Sequence, residues 1–117
     1  VRILLVDDHA DTLEVFSRVL RSRGYHVEGA ETLADAKLLC QTGRFDLLIS
    51  DIRLPDGDAW ELAKLAQACG AKPIALTASA MPDEVARAKQ AGFLRHLPKP
   101  IVFAELEKAI QEVTSNP

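Results

Sequence analysis

The sequence predicts an α/β domain, with a parallel five-stranded sheet covered by helices on both faces. Three observations predict it. Five short apolar runs fall near 2–6, 26–30, 46–50, 73–77 and 94–97. Stretches of helical spacing separate them, and no long linker interrupts the alternation, which is the pattern of repeated βα units. Runs such as Leu4-Leu5-Val6 and Leu47-Leu48-Ile49 are continuously apolar, as strands buried on both sides are.

Each helical stretch carries its own signals. The first, about 10–23, puts Leu13, Phe16 and Leu20 on one face and stops at Gly24. The second starts at Thr32, a good N-cap with Asp35 three residues on, and stops at Gly43. The third is expected to start at Asp58, with Glu61 at capping-box spacing, and to stop at Gly70. The fourth has Pro82 near its first position, Asp83 and Glu84 in its first turn, and Gly92 at its end. Its apolar face offers only Val85, Ala86 and Ala88, so it is expected to be the most mobile helix. The last, about 101–114, spaces Val102, Phe103, Leu106, Ile110 and Val113 helically.

Composition narrows the class. The chain has 117 residues and a net charge of −3, enough for one hydrophobic core and read as one domain, 1–117. A weakly acidic balance argues against a nucleic-acid surface. No apolar run approaches a membrane span and no signal peptide opens the chain, so a cytoplasmic setting without membrane contact is expected. Cys40 and Cys69 have no metal-ligand spacing and read as reduced thiols, half-buried on helices. Val1 in place of an initiator Met predicts a piece of a longer protein. Ser115-Asn116-Pro117 fits either a natural end or a linker.

Chemistry gathers at one sheet edge. In open parallel sheets, sites lie beyond the carboxyl ends of the strands. Asp7 and Asp8 follow the first run, Asp51 ends the third, Thr77 ends the fourth and Lys99 follows the fifth. A buried carboxylate is costly unless paired. Two such charges ~4 Å apart repel by about 4 kcal/mol at an effective dielectric of 20, so three together hold a proton or a cation. All-oxygen ligands favour a hard ion such as Mg²⁺, which takes one or two carboxylates plus phosphate oxygens and keeps several waters. The alternative, that Asp7 and Asp8 are caps of the first helix, is plausible for Asp8 or Asp11 alone and leaves Asp51 and Lys99 unexplained.

These residues resemble the receiver domain of two-component response regulators over essentially the whole chain. The matching stretches are Val6-Asp7-Asp8, Ser50-Asp51, Leu54-Pro55-Asp56-Gly57, Leu76-Thr77-Ala78 and Pro98-Lys99-Pro100, in family order and spacing. The resemblance implies a flavodoxin-like fold with strand order 2-1-3-4-5. It implies that Asp51 accepts a phosphoryl group from a histidine of a partner, either a histidine kinase or a histidine phosphotransfer protein. It further implies that Asp8, Asp51 and the backbone carbonyl of Arg53 bind Mg²⁺ directly, with Asp7 acting largely through water. Lys99 and Thr77 would then meet phosphoryl oxygens, and Pro100 would follow a cis bond. A dimer face on the fourth helix, fifth strand and fifth helix is also implied.

Two positions depart from the family pattern. His96 stands where relatives often carry a switch aromatic. It reads either as that switch or as a solvated histidine on an edge strand. Ala59 replaces a glycine common after the phosphorylation loop, with little consequence expected. Arg53 and Ser79 lie where the family tunes the loss of the phosphoryl group. His9 follows the acid pair and could touch the site, but it reads rather as a loop histidine, because hard Mg²⁺ prefers oxygen. His26 is expected to be exposed, and Trp60 to pack rather than bind.

Three other functions compete for the same residues. An aspartyl-nucleophile phosphatase would carry Asp-x-Asp after the first strand, where this chain has Asp7-Asp8-His9. A pseudo-receiver that only binds partners would usually lack one of the acids, the threonine or the lysine. A flavin-binding relative would need a Ser/Thr/Gly-rich phosphate loop after the first strand. The expected function is therefore a phosphoacceptor module, not a turnover enzyme, of the kind joined to hybrid sensor histidine kinases.

Overall fold

A computed structural model describes residues 1–78 and 82–114. Along the chain run β1 (Arg2–Val6), α1 (Ala10–Ser22), β2 (His26–Ala30), α2 (Leu33–Thr42), β3 (Leu47–Asp51), β4 (Arg53–Leu54), β5 (Gly57–Asp58), α3 (Trp60–Ala68), β6 (Lys72–Thr77), α4 (Pro82–Ala91), β7 (Arg95–Pro98) and α5 (Phe103–Thr114). The main sheet has the order β2-β1-β3-β6-β7, and every pairing in it is parallel. That is the expected 2-1-3-4-5 order once the two-residue strands β4 and β5 are set aside.

Alternation along the strands divides the core into two layers. Leu4, Val6, Leu48 and Ala75 point to the side that carries α2, α3 and α4, where Ala36, Leu62 and Ala66 meet them. Ile3, Leu5, Leu47, Ile49, Ile74 and Leu76 point to the other side, against Leu20 of α1 and Leu106, Ile110 and Val113 of α5. Full burial of each such Leu or Ile side chain contributes about 1.5–3 kcal/mol, so these central strands fix the edge where the site forms. By contrast, α4 buries only Ala88, as its sparse apolar face foretold.

The helix starts divide into an expected and an unexpected group. Thr32 caps α2 as anticipated, its Oγ1 accepting from the Asp35 N–H at 3.1 Å. The expectation for α3 fails. Asp58 lies in β5, paired antiparallel with Arg53, and α3 begins at Trp60 after an N-cap Ala59 that has no side-chain hydrogen bond. The Pro55-Asp56 turn folds the chain back, and the Ala59 N–H donates to the Ile52 carbonyl at 2.7 Å, so Asp58 is held in the hairpin. Gly57 closes that hairpin at φ +147°, and a Cβ there would lie 3.1 Å from Leu33. The capping reading of Asp8 and Asp11 also fails, since the N-cap of α1 is His9 and no side chain caps it.

The cysteines are not alike. Cys40 is buried on α2, and its thiol is pushed up to about 11, first by burial and then by nearby Cys69. Cys69 is exposed just beyond α3, and its thiol donates to the Cys40 carbonyl at 3.4 Å. Both are free. His26 is exposed as expected. Trp60 packs half-buried against the core under the Arg87 guanidinium, 4.7 Å from the ring centroid, and so ties α3 to α4.

Candidate functional site

The carboxyl ends of β1, β3 and β6 bring Asp7, Asp51 and Thr77 together, each at most 4% exposed. Continuous apolar strands drive this burial. The polar residue that ends each one is carried to the rim of the sheet with no freedom to retreat. Lys99 arrives from the end of β7, where its N–H donates to the Thr77 carbonyl at 2.7 Å and its peptide to Pro100 is cis.

The ammonium of Lys99 sits 2.8 Å from Oδ1 and 2.9 Å from Oδ2 of Asp51, and 3.2 Å from Oδ2 of Asp7. Asp51 is pushed up to about 7. Burial is the main cause and nearby Asp7 adds to it, while Lys99 pulls the other way. For Lys99, burial disfavours the charge, but Asp51 and Asp7 outweigh it and the net shift is upward. One lysine thus partly neutralises two buried carboxylates.

Among the described residues, two polar atoms at this centre lack hydrogen-bond partners, Thr77 Oγ1 and Asp7 Oδ2. The Lys99 contact to Asp7 is an ion contact without hydrogen-bond alignment. For the Thr77 hydroxyl, which has no such ion contact, being left unpaired costs about 1–3 kcal/mol. The cleft above them has a volume of about 170 Å³, and Asp8, Arg53, Glu84 and Lys99 are among its lining. At about 30 Å³ per water, that space has room for several waters or a small bound group.

The remaining candidates fall in different places. Asp8 reaches the cleft from an exposed position, its side chain 33% accessible. The Arg53 side chain turns outward and pairs with Glu84 of α4 at 3.2 Å. His96 is half-buried on edge strand β7, opposite Ala75, and therefore faces the α4 side of the sheet. Ser79, the other position expected to tune loss of the phosphoryl group, lies outside the described residues, as do Ser115-Asn116-Pro117.

Three contacts go beyond the favoured reading of the sequence. The His9 ring places Nδ1 3.3 Å from Asp7 and 3.2 Å from Asp8. Its position next to the acid pair was a signal, but ring orientation is not written in sequence. Glu84 reaches the cleft across a separation of 31 residues from Arg53, for which the sequence offers no cue. Asp56 accepts from the Leu33 and Ala34 N–H groups at 2.8 and 2.9 Å, so the loop after Asp51 caps α2. Those two bonds hold its carboxyl below the ordinary carboxylate range.

Three acids, a threonine and a lysine thus meet at one strand edge of a doubly covered parallel sheet, a constellation that places the chain among open α/β domains with a site at the carboxyl ends of the strands. Comparison with known proteins narrows the class. The family model for the response regulator receiver domain matches residues 3–111. The sensor histidine kinase AruS of Pseudomonas aeruginosa is 40% identical over 119 aligned positions, which cover 97% of this chain and 12% of that kinase. The transcriptional regulatory protein CusR of Escherichia coli is 31% identical, with 91% of this chain and 48% of that protein covered. The chain therefore spans half or less of these relatives. Among solved structures, the receiver domain of sensor histidine kinase PA1611 from Pseudomonas aeruginosa superposes with a TM-score of 0.83 at 33% identity, covering 95% of this chain and 94% of that one. That structure has a magnesium ion coordinated in its active-site cleft. The chain belongs to the response regulator receiver domain family of two-component signalling.

Proposed function

We propose that this domain is a phosphoacceptor in a phosphorelay, with Asp51 as the acceptor. The observation that carries the reading is the buried Asp51–Lys99 pair flanked by two unsatisfied polar atoms, Thr77 Oγ1 and Asp7 Oδ2. A phosphoryl group on Asp51 supplies an acceptor for the Thr77 hydroxyl. A hard cation supplies what Asp7 lacks.

The donor set fits Mg²⁺, which takes carboxylate oxygens at about 2.0–2.1 Å and keeps several waters. Asp8, Asp51 and the Arg53 carbonyl would hold it, with Asp7 acting largely through water. When bound, the ion supplies positive charge that offsets repulsion between the Asp51 carboxylate and the phosphoryl oxygens. A carboxylate oxygen of Asp51 attacks phosphorus, the N–P bond of the donor phosphohistidine breaks, and its electron pair leaves with the imidazole. Lys99 holds a phosphoryl oxygen by charge and Thr77 donates its hydroxyl to another, so the chain's part is positioning and charge neutralisation. Thr77 then draws toward the phosphoryl group. His96, on the adjacent strand and facing α4, moves with it and changes the α4–β7–α5 face, the proposed surface for a dimer partner.

The donor is a histidine kinase or a histidine phosphotransfer protein, and the setting is the cytoplasm. No helix among the described residues is long and apolar enough to cross a membrane. The parent protein is proposed to be a hybrid sensor histidine kinase, which the similarity to AruS and PA1611 supports. Tethering to a kinase core by a short linker would raise the effective partner concentration to roughly millimolar. The test of the central claim is phospholabelling by acetyl phosphate or a phosphohistidine donor with Mg²⁺. Asp51→Asn should abolish labelling while its circular dichroism stays that of the parent. Undiminished labelling of a folded Asp51→Asn protein refutes the assignment.

A further inference from the structure

We propose that the groove between α3 and α4 is a docking site for an acidic peptide segment of a partner protein, seated on Trp60 and held by Lys64 and Arg87. The groove shares no lining residue with the Asp51 cleft, and its occupancy needs no phosphoryl group.

Two helix faces make it. Trp60, Glu61 and Lys64 of α3 and Arg87, Gln90 and Ala91 of α4 line a space of about 220 Å³. Residues three and four apart share a helix face, so Trp60 and Lys64 form one wall and Arg87, Gln90 and Ala91 the other. Trp60 and Ala91 are half-buried against the core and give the groove an apolar floor. The space stays open because α4 packs thinly, burying only Ala88.

Charge selects the occupant. Glu61, the acid of the groove, is already paired with Lys37 at 3.3 Å. Among the described residues, neither Lys64 nor Arg87 has an acidic partner. The Arg87 guanidinium lies over the Trp60 ring, 4.7 Å from its centroid. A guanidinium stacked in this way keeps N–H groups at its edge, where a carboxylate can take two of them. The Trp60 indole N–H is buried and lacks an acceptor among the described residues, and a seated peptide brings backbone carbonyls to that side chain.

The neighbouring surface favours a short segment over a polyanion. An adjoining space shares Trp60 and Arg87 but is lined by Asp58, Asp83 and Glu84, with Arg53 already paired to Glu84. Those acids repel an anion that runs past Arg87 and so hold an acidic segment to the Lys64 end. The net charge of −3 likewise disfavours a nucleic-acid backbone, which also offers nothing apolar to the Trp60–Ala91 floor.

The probe is the peptide acetyl-Glu-Glu-Leu-Glu-Glu-Leu-Glu-amide, titrated into the protein while Trp60 emission is followed. The chain has one tryptophan, so the signal reports the groove. Counterparts carry Gln or Lys in place of every Glu. The Glu peptide should shift the emission saturably, the Gln peptide should bind at least about tenfold more weakly, and the Lys peptide should not bind. Arg87→Gln and Lys64→Gln should each weaken the Glu peptide at least about threefold, while Lys108→Gln, on α5 across the sheet, should bind it like the parent. Lys64→Glu combined with Arg87→Glu should bind the Lys peptide instead, a gain that a damaged fold cannot produce. Absence of a saturable shift with the Glu peptide overturns the proposal, as do equal affinities for the Glu and Gln peptides or parent-like affinity in Lys64→Gln and Arg87→Gln. Tighter binding of an oligothymidylate than of the Glu peptide also overturns it, by making the groove a nucleic-acid surface.

Discussion

Without divalent ions, Asp51 should weaken the fold as pH rises, and Asp51→Asn should remove that dependence. The folded carboxyl, pushed up to about 7, keeps its proton where the unfolded one, near 3.8, has lost it. Between those values the folded state binds more protons, so stability falls with increasing pH. The effect is absent below about pH 4 and complete above about pH 7. A gap of about three pH units at 1.36 kcal/mol each bounds the cost at about 4 kcal/mol. Lys99 already moderates that value, since its pairing with Asp51 acts on the charged form. Asn mimics the neutral acid, so the variant should match the parent near pH 4 and exceed it increasingly toward pH 8. Urea denaturation in a chelator at several pH values measures the difference between the two proteins, in which other titrating groups largely cancel. A difference that is flat with pH, or that favours the parent at pH 8, refutes the account of Asp51 as a buried charge awaiting a cation.

Millimolar Mg²⁺ should raise the thermal midpoint of the parent, and Asp8→Asn should melt higher than the parent without Mg²⁺ because a repelling charge is gone. A parent midpoint indifferent to Mg²⁺ counts against the metal reading. Asp56→Ala should lower the thermal midpoint by releasing the Leu33 and Ala34 N–H groups. Because the folded Asp56 carboxyl sits below its ordinary range, this contribution is present above the unfolded value and is lost as pH falls through the folded one. The gap between parent and Asp56→Ala should therefore narrow in acid, and a constant gap would mean that the caps do not need the charge. Phosphorylation should change hydrogen exchange across 82–97 more than in α1 or α2, since α4 buries only Ala88. A change confined to the loop at Asp51 would leave the domain without a conformational output.

Much of this molecule was legible in its residues. The apolar runs at 2–6 and 26–30 are β1 and β2 as read, β6 starts one residue earlier than read, and β3 and β7 are each shifted one residue along the chain. Those runs must be buried, burial makes them parallel strands between helices, and the polar residues that end them must share an edge. Asp7, Asp51, Thr77 and Lys99 follow from that logic. Where the reading failed, a local signal lost to a distant partner. Asp58 and Glu61 have capping spacing, yet the hairpin with Arg53 holds Asp58. Asp56 looks like a turn residue and serves α2 from 22 and 23 positions away. The His9 ring against two carboxylates, the Arg53–Glu84 pair and the unspent oxygens of Asp7 and Thr77 depend on packed side-chain directions. Periodicity and burial act along the chain and can be counted in it. Orientation, desolvation and charge sharing exist only once the sheet has brought its edges together.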